Sequence, residues 1–294
     1  MSRTMAGPSA RRVGTRAPRL VRRGVSLVLY HLLVVLVLGL NLAPVLWVIS
    51  TSLRTSANLH NPTQWIPNPA TLQHYQGLFE LLPMFWRYTG NTLRIAGLST
   101  IGHVLSCSMA GYALARLRFA GRKSILMVLM LTMMVPAQVT LIPLYVLFRV
   151  LGWINTPLPL IVPAFFGGAY GSFFFRQFFL SIPREIEDAA FVDGATRWHV
   201  YARIILPMSR PALTTLGVLN FAGAWNTLFG PNIYLQKQAE WVITQGLVSL
   251  NTQWVPRWGE TTAGIVLMSL PMAILYVVGQ RYFSEGITFT GVKG

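Results

Sequence analysis

Apolar residues in this chain run rather than alternate. Residues 27–49 and 125–148 contain no Lys, Arg, Asp or Glu. A bilayer core of about 30 Å takes roughly 20 apolar residues as a helix, because backbone amides left unpaired in hydrocarbon are costly. Both stretches meet that length and read as membrane-spanning helices. Residues 158–175 and 263–280 are slightly shorter and also free of charge, while 211–235 is long, uncharged and mildly polar. The weakest stretch is 93–117, which includes Arg94 and His103. Counting it gives six spans, which return the chain to the side on which it started. The pattern predicts an all-α, polytopic protein with a basic tail at 1–22, a six-helix membrane domain over 23–284 and a second tail at 285–294.

Charge placement supports this reading and orients it. Lys and Arg in short loops favour the cytoplasmic face. With the N-terminus inside, 18 of the 24 basic residues fall on the inner side; they include Arg116, Arg118, Arg122 and Lys123 between spans two and three, and Arg176, Arg184, Arg197, Arg203 and Arg210 between spans four and five. Both termini are then cytoplasmic. The first apolar run is too long for a signal peptide and lacks a small-x-small cleavage site.

Composition narrows the function. Only 11% of the 294 residues are charged, against about 25% in a soluble domain, and the formal charge is +16. Membrane topology accounts for that excess, so no nucleic-acid partner is implied. All eight carboxylates lie outside the spans, whereas proton- or sodium-coupled carriers hold ionisable groups at membrane depth. A proton relay is therefore disfavoured, and energy for transport must come from another subunit. No phosphate-binding loop, zinc-protease motif or nucleophile elbow is present, and the five histidines are scattered. Neither catalysis nor a metal or cofactor is expected. A stand-alone secondary carrier and an intramembrane enzyme are the rival classes.

Half of the carboxylates fall in the inner loop 181–207: Glu185, Glu187, Asp188 and Asp193. Pro183 and the three acids after it suit a helix N-terminus. Asp193 and Gly194 stop that helix, because glycine accepts the left-handed conformation of a C-terminal cap. Thr196 caps a second helix, whose Trp198, Tyr201, Ala202 and Ile205 share one face, and Pro207 ends it. The result is a tight corner of two short helices. Ala189, Ala190 and Ala195 give it a low-relief surface for a partner's groove, and the tryptophan face anchors it to the bundle. A solvated connecting loop is the equal alternative on composition alone.

The order D-A-A-x-x-D-G-A from Asp188 to Ala195, followed by Leu206-Pro207 and Pro211, resembles the EAA loop by which ABC-importer permeases dock their ATPase. Further similarity lies in the stretch from Leu46 to Arg54, Trp65-Ile66-Pro67, the stretch from Gly111 to Phe119, Phe175-Arg176-Gln177-Phe178 and the ending Gly291-Val292-Lys293-Gly294. Together these are similar to the inner permease subunit of maltose-type carbohydrate importers, with Asp188 in place of the family's leading glutamate. The resemblance implies the type I ABC-importer permease fold in a bacterial plasma membrane. Implied partners are a second homologous permease chain, two ATP-binding subunits, and an extracellular binding protein delivering a sugar, all within membrane lipid. A phosphorylated polyol or another polar solute would use the same machinery.

By the same resemblance, Glu187, Asp188, Ala189, Ala190, Asp193, Gly194 and Ala195 are the ATPase-coupling residues, and Lys293 reaches the ATPase interface. Asn220, Trp225 and Asn226 are polar or amphipathic groups in an apolar helix, suited to a sugar path by amide hydrogen bonds and an aromatic face. Gln138, beside Pro136, is a further candidate. Hydrogen bonding between helices is the alternative role for the amides. Trp241, Trp254 and Trp258 stand in an outer loop, either to contact the binding protein or as an aromatic belt at the membrane surface. Gly167 and Gly171 permit close helix packing.

Overall fold

The computed structural model describes residues 17–59, 61, 64–251 and 257–291, with side chains from 26 to 280. Every regular element among them is helical. In chain order they are α1 (Ala17–Ser52), α2 (Gln73–Leu81), α3 (Phe85–Arg116), α4 (Arg122–Thr132), α5 (Ala137–Val150), α6 (Leu158–Ile161), α7 (Ala169–Ser181), α8 (Glu185–Val192), α9 (Arg197–Val200), α10 (Leu206–Met208), α11 (Arg210–Asn226), α12 (Phe229–Tyr234), α13 (Ile243–Ser249) and α14 (Trp258–Gly291).

Three helical stretches are long and apolar enough to cross a bilayer, Ser26–Ser52, Leu158–Ser181 and Trp258–Gln280. The run 125–148 is not one straight span. It forms α4 and α5, bent by 98° at a four-residue break. Pro136 stands at that break with φ −60° and ψ 134°; it lacks an amide hydrogen and biases the residue before it away from helix. If the bent pair crosses once, the apolar helices make four spans. The helix over 93–117 is α3, 32 residues long but carrying Arg87, Arg94 and Arg116. The run 211–235 divides into α11 and α12, because Thr227 adopts extended backbone after Asn226. The stretch 158–175 is likewise interrupted by a 3-10 turn at Val162–Phe166, then by Gly167 at φ +82°.

The bundle is organised around α3, which packs on α7, α11 and α13. Small residues bring α3 and α7 together. A Cβ added to Gly111 would lie 2.6 Å from the Phe175 Cβ, and one added to Gly171 would lie 2.7 Å from the Cys107 sulfur. Gly171 therefore serves the close packing expected of it. Gly168 donates its amide to Cys107 Sγ at 3.2 Å across the same seam.

Two apolar cores sit at opposite ends of α3. One joins Leu78, Phe85, Tyr88, Ile243, Leu247 and Ala263. The segment after α12 thus folds part of itself inward, as α13. The other joins Tyr112, Phe175, Phe179, Val200, Tyr201 and Ile205 beneath the 181–207 segment. By contrast, α1 packs along α14 and leaves its residues from Leu27 to Val45 largely exposed, as a helix surrounded by lipid requires.

Candidate functional site

The 181–207 segment forms the expected corner. Helix α8 begins with Glu185, Glu187 and Asp188 in its first turn, where the helix dipole favours negative charge. It closes in a Schellman cap: the Ala195 amide donates to the Ala190 carbonyl at 2.9 Å, and the Gly194 amide to the Phe191 carbonyl at 3.0 Å. Gly194 has φ +82°, and nothing lies within 4 Å of a Cβ added there. Thr196 then caps α9, its Oγ1 accepting from the His199 amide at 3.2 Å.

Beyond α9 the chain departs from the sequence expectation. Pro207 does not end the second helix. Residues Tyr201–Ile205 form a π-turn, in which the Leu206 amide donates to the Tyr201 carbonyl, and helical backbone continues through α10 to Met208. The wider turn accommodates a proline that has no amide to give.

Anchoring differs as well. Trp198 is 65% exposed, whereas Val200, Tyr201 and Ile205 are buried. The face that holds the corner to the bundle is therefore one of Val200, Tyr201 and Ile205. Tyr201 shares a hydrogen bond of 2.7 Å with Ser108 of α3. Burial raises its phenol above the usual range, and the bond to Ser108 pulls the other way.

Glu187 also faces inward, at 6% exposure. Its Oε1 lies 2.8 Å from Arg116 Nε at the end of α3, and its Oε2 accepts from the Tyr112 hydroxyl at 3.4 Å. Arg116 also donates to the carbonyls of Phe179 and Ile182 at the end of α7. One guanidinium thus ties α3, α7 and α8. In this chain the Glu187 carboxylate is thus held inside, paired with Arg116, and Ala190 is buried beside it.

What remains on the crest is Asp188, Ala189, Asp193 and Gly194, all exposed, with Ala195 half-buried behind them. Phe191 and Val192 join them at 40% and 88% exposure, an apolar tip absent from the sequence expectation. Its signal was available: two large apolar residues directly precede the helix stop, on the turn opposite Ala190.

The path candidates separate. Trp225 is 1% exposed, stacks on Phe221 and donates its indole N–H to the Met268 carbonyl at 3.2 Å. In this chain it fastens α11 to α14, with its ring buried. Asn226 is exposed and bonds back to the Ala222 carbonyl at 2.8 Å. It shares an open stripe with Leu219 and Gly223, and Asn220 is half-buried alongside. Gln138 is exposed in the first turn of α5, at the 98° bend.

Of the loop tryptophans, Trp241 packs against Tyr88 with ring centroids 6.1 Å apart and is half-buried. Trp258 is 51% exposed and borders a cavity of about 230 Å³ with Trp47, Thr51 and the buried Arg54. Trp254 and Lys293 lie outside the described residues.

Residues 104–289 match the family described as "Binding-protein-dependent transport system inner membrane component". The chain belongs to this family. The permease is 33% identical over 85% of its length to the arabinooligosaccharides transport system permease protein AraQ of Halalkalibacterium halodurans, covering 91% of that protein. It is 32% identical over 89% of its length to the diacetylchitobiose uptake system permease protein DasC of Streptomyces coelicolor, covering 95% of it. Its fold is shared with a bacterial ABC transporter involved in import of the acidic polysaccharide alginate: TM-score 0.76, 23% identity, 92% of this chain and 98% of that one. The family match contains the whole corner, α11 and most of α14. The resemblance read from the Asp188 to Ala195 motif therefore holds, and the permease is a multi-pass membrane protein.

Proposed function

We propose that this permease forms, with a second homologous chain, the membrane path of an ATP-driven importer of a carbohydrate, most simply an oligosaccharide. The observation that carries this reading is the rigid corner with its exposed crest, because a permease without fuel of its own needs a surface on which force is received. Two partner ATPase subunits hydrolyse ATP, one seated on this corner and one on its counterpart. Asp188, Ala189, Asp193 and Gly194, with Phe191 and Val192 as the apolar tip, make the contact. Ala195, Ala190 and Glu187 hold its shape from behind. Lys293 reaches the same partner from the C-terminal tail.

An extracellular binding protein delivers the sugar to the opposite end, where Trp258 and the loop bearing Trp254 are available to it, and Trp241 stiffens that face. Six crossings with both termini cytoplasmic fit this arrangement, with α3 and α11 as the less apolar spans. Asn220, Asn226 and Gln138 line the path, their amides exchanging water for sugar hydroxyls. Relatives named for two different oligosaccharides support the substrate class.

Affinity isolation of the full chain from its native membrane in mild detergent tests this. A nucleotide-binding subunit is expected to co-purify, and deletion of residues 188–195 is expected to abolish that association. Uptake by the lone chain driven by a proton gradient would instead establish a secondary carrier.

A further inference from the structure

The turn between α3 and α4 opens a cleft of about 570 Å³ against α7 that the transport reading leaves unused. Four cations line it, Arg118, Arg122, Lys123 and Arg176, and no carboxylate does. Arg122 is fixed in place by a bond from its guanidinium to the Leu117 carbonyl at 3.2 Å. The Nε of Arg176 is buried without a hydrogen-bond partner. Like charges gathered this closely repel, and a buried guanidinium nitrogen left unpaired costs free energy, so the cleft is built for an anion. The free amides at the start of α4, beyond Gly121, add partial positive charge on the same side.

The wall below the cleft identifies the anion's source. Helix α4 has no buried residue. Leu126 lines the cleft itself, and Ile125, Met127, Val128 and Leu131 stand 47% to 62% exposed directly beyond the basic turn. A free phosphate would leave that apolar surface uncovered. A phospholipid meets both, since its phosphate takes the guanidinium and ammonium donors while its acyl chains cover the helix. We propose that the cleft is a binding site for an anionic phospholipid, with the headgroup held by Arg118, Arg122, Lys123 and Arg176 and the chains laid along α4. The site lies at the end of the bundle that carries the corner, because Arg116, two residues before Arg118, is the clasp of α8.

The test uses the full chain, delipidated in detergent, then offered phosphatidylglycerol or phosphatidylcholine in mixed micelles, with retained lipid counted by native mass spectrometry. Phosphatidylglycerol is expected to be retained preferentially. Lys123→Gln is expected to lower its retention about fivefold and Arg118→Gln with Lys123→Gln about 25-fold, with Lys123→Arg close to the parent protein. Variants are compared only where they elute as the same monodisperse species. Equal retention of the two lipids, or undiminished phosphatidylglycerol in the double variant, overturns the site. Displacement of the lipid by an equal concentration of inorganic phosphate assigns the cleft to free phosphate and overturns the acyl-chain half. Loss of a co-purifying ATPase subunit in the double variant, with lipid retention unchanged, makes the cleft a protein contact and also overturns the proposal.

Discussion

Arg116 at the last turn of α3 and Glu187 in the first turn of α8 form an ion pair of 2.8 Å, with side chains 5% and 8% exposed. Breaking a buried pair by removing one partner costs about 3–5 kcal/mol, because the other charge is left uncompensated. Glu187→Ala is therefore expected to loosen the corner while α3 and α7 stay folded. Hydrogen exchange over residues 183–208 is expected to quicken, and ATPase co-purification to fall. Asp188→Asn, on the exposed crest, is expected to leave exchange unchanged while weakening that association. Equal exchange in the two variants would mean that the pair does not hold the corner.

Gly194 separates conformation from crowding. Nothing would touch a Cβ there, but φ is +82°. A left-handed residue other than glycine costs about 1–2 kcal/mol, more for a β-branched one. Gly194→Val is expected to reduce sugar-stimulated ATP hydrolysis in the assembled transporter while the membrane helices stay folded, the strain being confined to the corner. Gly194→Asn, which tolerates this region, is expected to retain most coupling. Unchanged hydrolysis in the valine variant counts against the corner as the point of contact.

The α3–α7 seam predicts an opposite pair of outcomes for one chemical change. Gly111→Ala places a methyl 2.6 Å from the Phe175 Cβ and 2.9 Å from the Arg176 amide nitrogen. Overpacking of that kind costs about 1–3 kcal/mol. Gly97→Ala meets nothing within 4 Å in the same helix and gains about 0.5–1 kcal/mol in helix propensity. Thermal unfolding in detergent is expected to shift down for the first and up, or not at all, for the second.

Trp225 and Asn226 are neighbours with different duties. Removing a buried aromatic costs about 3–5 kcal/mol, so Trp225→Ala is expected to lower thermal stability sharply. Asn226→Ala is expected to leave stability within about 0.5 kcal/mol and to reduce uptake. A stability loss from Asn226→Ala as large as that from Trp225→Ala would remove Asn226 from the path.

Cys107 is the only cysteine in the sequence and is fully buried. Cys107→Ser retains an acceptor for the Gly168 amide and gives a background without thiols. Single cysteines placed at Ser124 and at Gln238 are expected to react with an impermeant maleimide from opposite sides of the membrane. Labelling of both from one side contradicts the six-span orientation.

The corner was legible because its stops and starts are local. Asp193, Gly194 and Thr196 act through their own backbone angles and side-chain oxygens, and the structure places each cap where spacing put it. Directions were not legible. Glu187 and Asp188 are adjacent acids, and which one turns inward depends on Arg116, 71 positions earlier, being at the end of a different helix. Helical spacing puts Trp198 on the anchoring face, but the buried face is set by where α3 and α7 lie. The bend in residues 125–148 was masked for a related reason. Apolarity alone does not distinguish a straight crossing from two helices at 98°, although Pro136 marked the position. In the loop after α12, the burial of Ile243 and Leu247 as α13 needs Leu78 and Tyr88 from distant sequence, which no local pattern signals.

Helix α3 spans 32 residues without an internal proline, about 48 Å of continuous rod at 1.5 Å per residue. Its final residue clasps the elbow, and its first turns pack under the loop tryptophan Trp241. A stiff rod of this kind needs no chain of relays: in the importer proposed above, a push on α8 would be carried as displacement to Tyr88, and docking at the far face would return along the same shaft.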